Sequence, residues 1–188
     1  MATAHFIKWI EGQAYGLRKT CGVSTFGRLE PLELAKKMLV DVIDPSGIIN
    51  LSQEILDQLF NDSKAWSAGT LILPNGKAIV VMNPTHLDTR RRASLMEELV
   101  HIKLKHKPTK LVSVNGVTMR NWNQSQETEA YWIGAAALLP QCVMKGAKTL
   151  GWTAEKVAND HGVSLKLVEF REKVLRIKLN REAMSLAE

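Results

Sequence analysis

The sequence predicts an α+β fold that is dominated by helices and holds a small antiparallel sheet. Most of the chain carries apolar residues at helical spacing, and two Asn-Gly pairs each separate short strand-like runs. No repeat, low-complexity stretch or linker divides the 188 residues. With 45% apolar and 23% charged residues, the chain can bury one sizeable core, which excludes disorder as the default state.

The elements follow in order as the spacing of the apolar residues changes. Residues 31–44 have helical spacing, and the turn-forming DPSG sequence at 44–47 ends that pattern. Asn75-Gly76 tolerates the positive φ of a tight turn and predicts a hairpin, and a second such pair at 115–116 predicts another. The remaining predicted helices cover 52–60, 88–105, 125–139, 153–161 and 164–181.

We expect a core with N-terminal helices over 1–140 and a helical segment over 141–188 that packs on it. Composition and charge indicate the partners and the compartment of the protein. The formal net charge of +6 permits an acidic partner without requiring one. Two cysteines are too few for a disulfide scaffold, and the longest run of apolar and small residues, 130–139, is about half a membrane span. We therefore expect a cytoplasmic protein without a membrane partner.

The helix predicted over 88–105 carries a polar arc that has two possible interpretations. Glu97 and His101 are four residues apart and share a face, with Glu98 beside them. Such an arc on a surface helix can be solvated, its charge pairs each contributing about 0.2–0.5 kcal/mol. In the zincin pattern H-E-x-x-H, however, two histidines bind zinc and the glutamate activates water. Here the first ligand position holds Glu97, so E-E-x-x-H is a weak motif alone.

Further landmarks surround this helix and strengthen the metal interpretation. They are an apolar run that ends in Asn (79–83), three arginines (90–92), the helix tract 93–101 that continues to His106, and the Glu-Ala…Leu-Leu-Pro run of 129–140. Over about residues 30–175 the chain resembles the ImmA/IrrE family of zinc metallo-endopeptidases. The resemblance implies a zincin-like core in which Glu97, His101 and Glu129 bind one divalent ion and Glu98 is the general base.

The resemblance also implies a substrate: a cytoplasmic protein, typically a helix-turn-helix transcriptional repressor.

Gly134 and the alanines of 135–137 would let the second helix approach the first closely enough for Glu129 to act as a ligand. Glu127 is expected to point away from that face, as a solvated acid that favours the helix dipole. Backbone groups at a sheet edge near 78–83 would align the substrate as an added strand.

Glu97 in place of the first histidine changes the expected chemistry. Two carboxylates would cancel the charge of a divalent ion, so bound water would be acidified less. Zinc is the ion expected first, and the oxygen donors shift preference toward manganese or iron. Three outcomes stay open: a working peptidase with a modified site, a protease-fold protein that only binds, or a site for another metal. A di-iron bundle is excluded, because it needs two E-x-x-H tracts and the chain has one.

The C-terminal helices offer a rival function. Ala158, Gly162 and Val168 have the spacing of a helix-turn-helix motif, in which Lys166 and Arg171 would contact DNA. Acidic residues dilute the positive field there, and small-residue patterns also occur in ordinary helical hairpins. The function favoured by the sequence is therefore a metal-dependent endopeptidase. An inactive protease-fold binding protein and a DNA-binding regulator are the alternatives.

Overall fold

The computed structural model describes residues 3–48, 52–61, 66–107, 110–114, 117–121 and 123–181. Its helices are α1 (Ala4–Thr20), α2 (Pro31–Lys37), α3 (Gln53–Asn61), α4 (Asp88–Leu104), α5 (Gln124–Leu138), α6 (Gln141–Thr149), α7 (Ala154–His161) and α8 (Leu165–Leu175). Its strands are β1 (Asp41–Ile43), β2 (Ala68–Ile72), β3 (Ala78–Met82), β4 (Lys110–Val114) and β5 (Val117–Asn121). The predicted helix-dominated α+β class is confirmed. Within the described ranges, no helix is both long enough and apolar enough to span a bilayer.

The chain divides into two compact units. One comprises residues 30–134, and the other combines residues 1–29 with residues 135–188. Helix α1 therefore groups with the C-terminal helices, whereas the sequence predicted it as part of a core over 1–140. The predicted division at residue 140 stays a prediction about domains, because compact contacts alone do not define one.

The 30–134 unit contains a three-stranded mixed sheet in the order β1-β3-β2. The predicted hairpin is confirmed: β2 and β3 are antiparallel, with Thr70 opposite Val80, and Gly76 in the turn has a φ of 83°. Strand β1 pairs with β3 in parallel, which makes the sheet mixed instead of purely antiparallel. Because β3 has a partner on both sides, the predicted substrate edge near 78–83 is wrong.

Strand β1 lies in a segment whose apolar spacing predicts a helix. The helix predicted over 31–44 ends at Lys37, and Leu39 then adopts a left-handed conformation with a φ of 57°. The parallel partner of β1 lies about forty residues further along the chain, so local periodicity carries no trace of the pairing. Strands β4 and β5 form the second predicted hairpin, whose Asn-Gly turn at 115–116 lies outside the described residues.

In the other unit, two buried arginines bind carbonyl groups at the C-terminal end of α5. Arg171 is fully buried, and its Nε donates to Leu139 O at 2.9 Å. Its guanidinium also forms an ion pair with Glu11, while Arg18 Nη1 donates to Ala137 O at 2.9 Å. The last carbonyls of a helix lack partners within the helix and attract cations. The two arginines supply both the hydrogen bonds and the charge.

Helices α7 and α8 confirm the two C-terminal helices that the sequence predicts. Gly162 ends α7 in the left-handed region with a φ of 61°, and the Ser164 side chain caps α8 by accepting from Leu167 N. Helix α8 ends at Leu175, short of the predicted end at 181. Past that point Glu172 accepts hydrogen bonds from Leu179 N and Arg181, which hold the chain in a non-helical course.

Replacing Arg171 with Met should destabilise the protein strongly, because Glu11 and the carbonyl of Leu139 would lose their buried donor. Breaking one side of a buried ion pair typically costs about 3–5 kcal/mol. Urea denaturation would measure this loss of unfolding free energy. Adding Glu11→Gln to Arg171→Met should recover part of it, and an unchanged denaturation midpoint in the single variant would contradict the assignment.

Candidate active site

Helix α4 turns the predicted polar arc toward neighbouring elements, with His101 buried and Glu97 and Glu98 half-buried. His101 is only 1% exposed, and the helix also buries Leu95, Met96, Leu99 and Val100. Glu98 accepts a hydrogen bond of 2.5 Å from the hydroxyl of Thr70 on β2. The alternative of a simple solvated face is therefore wrong. The arc faces other elements of the 30–134 unit.

Helix α5 approaches the backbone of α4 at a glycine. A Cβ placed on Gly134 would lie 3.4 Å from Met96 Cβ and 3.5 Å from Glu97 N, which is ordinary van der Waals contact. The absence of a side chain at Gly134 is thus compatible with the close approach expected from the sequence.

Glu127 lies on the face of α5 that Gly134 presents to α4. The two residues are seven positions apart, or nearly two full turns, so they point the same way. Glu127 Oε1 is 3.9 Å from His101 Nε2, and its carboxyl group is hydrogen-bonded to that of Glu97. The expectation that Glu127 points away is wrong. The seven-residue spacing to Gly134 was the sequence signal for its position.

The carboxyl groups of Glu97 and Glu127 form a hydrogen bond, which requires a proton on one of them. Burial, together with the neighbouring charges of Glu127 and Glu98, raises the pKa of Glu97 to about 8. Burial also raises the pKa of Glu127, while the hydrogen bond from Glu97 opposes that shift. Glu97 is therefore the protonated donor near neutral pH. Two carboxyl groups that are hydrogen-bonded to each other disfavour ionisation of both at once.

Glu98 and His101 have the protonation behaviour expected of a base and a neutral ligand. Burial raises the pKa of Glu98 to about 7, against the hydrogen bond from Thr70, which lowers it. Burial, followed by the influence of His106, lowers the pKa of His101 to about 3. The imidazole of His101 is thus neutral near pH 7, with a lone pair available on one ring nitrogen.

Glu129, the ligand predicted from the sequence, contacts a different histidine. Its Oε2 is 3.3 Å from His106 Nε2, and His106 Nδ1 is 3.0 Å from His101 Nδ1. Glu129 is therefore linked to His101 through His106, on the side of the ring opposite to Glu127. The sequence interpretation missed His106, Glu127 and Thr70 as members of this cluster.

The two predicted DNA-contacting residues differ in their burial. Lys166 is exposed on α8, but Arg171 is fully buried and bound to Glu11 and Leu139. A buried guanidinium that is engaged in this way cannot reach a phosphate or a base edge. The assignment of Arg171 to a DNA-binding surface is wrong.

The donor groups have the chemistry of a divalent-cation site, although they are not preassembled as one. Over the part of the chain that the structure describes, no three His, Cys, Asp or Glu side chains form a cluster arranged to hold a metal ion. Glu97, Glu127 and His101 nevertheless bring two carboxylates and one imidazole together between packed helices. The shared proton lies where the two carboxylates require positive charge, and a cation would meet the same requirement.

Glu97→Gln should stabilise the metal-free protein at high pH. The pKa of Glu97 is about 8 in the folded state against an ordinary value of 4.5, so folding favours the protonated form. That contribution is fully present below pH 4.5 and is lost as the pH rises through 8. Gln removes the cost of ionisation and can still donate to Glu127.

Thermal unfolding in EDTA at pH 5 and pH 8.5 measures this effect. We expect the unfolding temperature of Glu97→Gln to exceed that of the parent at pH 8.5 by several degrees, with little difference at pH 5. Glu33→Gln is the matched control, because the Glu33 side chain on α2 is largely exposed. An equal unfolding temperature at both pH values would contradict the shared proton.

Comparison with known proteins identifies the family of the chain. A sequence profile of peptidase M78, described as the IrrE N-terminal-like domain, matches residues 52–173. No curated protein matches the sequence. One similar solved structure is a Mycobacterium tuberculosis transcriptional regulator, at 14% identity and a TM-score of 0.55. The alignment covers 86% of this chain but 45% of the regulator, so the chain spans less than half its length, and the likeness shows the fold alone.

The profile match is the more specific of these findings. It spans well over half of the chain, and it includes α4 and the residues of α5 that contact it. The chain belongs to the IrrE N-terminal-like domain family, peptidase M78.

Proposed function

We propose that this protein is a metal-dependent endopeptidase that hydrolyses a peptide bond in a protein substrate. The observation that carries the proposal is the contact of Glu127 with both Glu97 and His101, next to the buried carboxyl group of Glu98. Carboxylate and imidazole ligands beside a glutamate base are the groups that a metallopeptidase requires. Membership of a peptidase family supports the same reaction.

Three residues would hold the ion: Glu97, His101 and Glu127. Glu127 takes the place that the sequence interpretation gave to Glu129, because Glu127 lies beside His101 Nε2 while Glu129 contacts His106. Glu129 is the alternative third ligand. When bound, a divalent ion would polarise the scissile carbonyl and make water a stronger nucleophile.

Glu98 would act as the general base and then as the general acid. A carboxylate with a pKa near 7 can accept a proton from attacking water and return it to the leaving amine. The Thr70 hydroxyl binds Glu98 Oε2 and so fixes the direction of the carboxylate. The base is held by two elements, α4 and β2.

Strand β2 is the better candidate for aligning an extended substrate. Among the described strands it has one ladder partner, β3, and it carries the Thr70 side chain that binds Glu98. A substrate added along β2, beside which β5 also lies, would bring its backbone next to the base. This assignment replaces the edge near 78–83, where β3 has partners on both sides.

The resemblance to ImmA/IrrE peptidases supports a cytoplasmic transcriptional repressor as the substrate class. A solved protein that shares this fold is called a transcriptional regulator, which agrees with a role in gene control. An inactive binding protein is the second candidate, favoured by the glutamate at the first ligand position. No described contact favours direct DNA binding, since of its two predicted residues only Lys166 is exposed.

Metal analysis of the protein purified without a histidine tag tests the ligand set. We expect one divalent ion per chain, lost in His101→Ala and Glu127→Gln and retained in Glu129→Gln. Loss in Glu129→Gln with retention in Glu127→Gln would instead support the ligand set predicted from the sequence. A parent protein that binds none of zinc, manganese or iron would exclude the metallopeptidase.

Glu97→His tests the effect of the second carboxylate on metal choice. A site with two imidazoles and one carboxylate keeps more positive charge and softer donors, so zinc should gain over manganese. In competition dialysis we expect the ratio of bound zinc to bound manganese to rise at least tenfold. An unchanged ratio would show that Glu97 does not contact the ion.

Glu98→Gln tests the general base. Loss of a positioned acid–base group typically slows a reaction by about 10²–10⁴-fold, and we expect that loss in cleavage of a helix-turn-helix repressor. Metal content should stay at the parent level, because Glu98 is not a proposed ligand. Cleavage at the parent rate would remove Glu98 from this role, and absence of cleavage in the metal-loaded parent would favour the inactive binding protein.

A further inference from the structure

We propose that His106 and Glu129 form a positioning pair that fixes the tautomer and the ring orientation of His101. The inference deepens the proposed function, because it concerns the ligand imidazole of the same site. It gives Glu129 a part that differs from metal ligation. The residues are neighbours in a chain of three contacts: carboxylate to imidazole, imidazole to imidazole, and imidazole to the candidate metal site.

The end of α4 turns the ring of His106 back onto His101. Lys105 follows the helix in a left-handed conformation with a φ of 52°, and His106 N then donates to His101 O at 3.1 Å. The two rings meet edge to face, with centroids 4.9 Å apart and planes at 76°. A left-handed backbone is uncommon for a residue other than glycine and needs support from its surroundings. Here it places His106 within reach of both His101 and Glu129.

The hydrogen bonds between Glu129, His106 and His101 determine which ring nitrogens carry the protons. An ionised carboxylate only accepts, so Glu129 Oε2 at 3.3 Å requires the proton of His106 on Nε2. When the His106 ring is neutral and its proton is on Nε2, its Nδ1 atom is an acceptor. The 3.0 Å contact between the two Nδ1 atoms therefore needs the proton of His101 on Nδ1. The lone pair of His101 consequently lies on Nε2.

Nε2 is the nitrogen of His101 that faces the other proposed ligands. It lies 3.9 Å from Glu127 Oε1, and the ring is only 1% exposed. Histidine ligands generally donate their second N–H to a carboxylate or carbonyl, which fixes the tautomer and strengthens the donor nitrogen. In this protein a second histidine takes that place, and the carboxylate of Glu129 stands one step further out. His106 and Glu129 are therefore positioning residues.

Nitrogen-15 NMR of the histidine-labelled full chain in EDTA reads the tautomer directly. We expect His101 to carry its proton on Nδ1 and His106 on Nε2 near pH 7.5. A proton on Nε2 of His101 would overturn the proposal. Because neither metal nor substrate is present, failure of peptidase activity or of metal binding would leave this result standing. The two proposals can thus fail separately.

Two variants separate positioning from general packing. His106→Phe keeps an aromatic ring without an acceptor. Glu129→Ala removes the carboxylate from a side chain that is 33% exposed and therefore contributes little to the core. Each should give a mixture of His101 tautomers and weaken binding of the parent's metal by about 10–100-fold. Glu129→Gln keeps an acceptor oxygen and should restore the parent tautomer. An unchanged His101 tautomer in Glu129→Ala would contradict the positioning pair, whatever the fate of His106→Phe.

Discussion

The contact between Glu127 of α5 and the Glu97–His101 face of α4 is the interaction on which the site depends. Burial makes the charge of either carboxylate costly, and the shared proton lowers that cost at neutral pH. Gly134 lets the two helices approach at backbone distance, so the carboxyl groups meet within a packed interface. Two carboxyl groups placed in this way favour a proton or a cation between them.

The glutamate at the first ligand position changes what such a site can do. With two histidines and one carboxylate, a divalent ion keeps net positive charge and acidifies its water strongly. Glu97 and Glu127 together would neutralise the ion, so more of the work of activating water would fall on Glu98. Its pKa of about 7 and its bond from Thr70 suit that demand. In the proposed peptidase, the departure from the zincin pattern would therefore affect the strength of catalysis and the choice of metal.

Histidines and arginines serve opposite purposes in the two compact units. In the 30–134 unit, His101 is kept neutral by burial and is linked to Glu129 through His106. In the other unit, Arg171 remains a cation because it neutralises Glu11 and binds a carbonyl near the end of α5. The sequence alone does not indicate which of these roles a basic residue has. Its partners decide whether it faces a ligand or supports a helix.

The sequence by itself determined the helix-dominated class, the β2–β3 hairpin and the tract Glu97-Glu98-Leu99-Val100-His101, because helical periodicity, Asn-Gly turns and short motifs are local properties. Tertiary structure decided the rest. Strand β1 pairs with a strand about forty residues away, and the choice of Glu127 over Glu129 beside His101 depends on how α5 is rotated against α4. The shared face of Glu127 and Gly134 follows from their seven-residue spacing, but the packing of that face on Met96 joins residues distant in sequence and forms only in the folded protein.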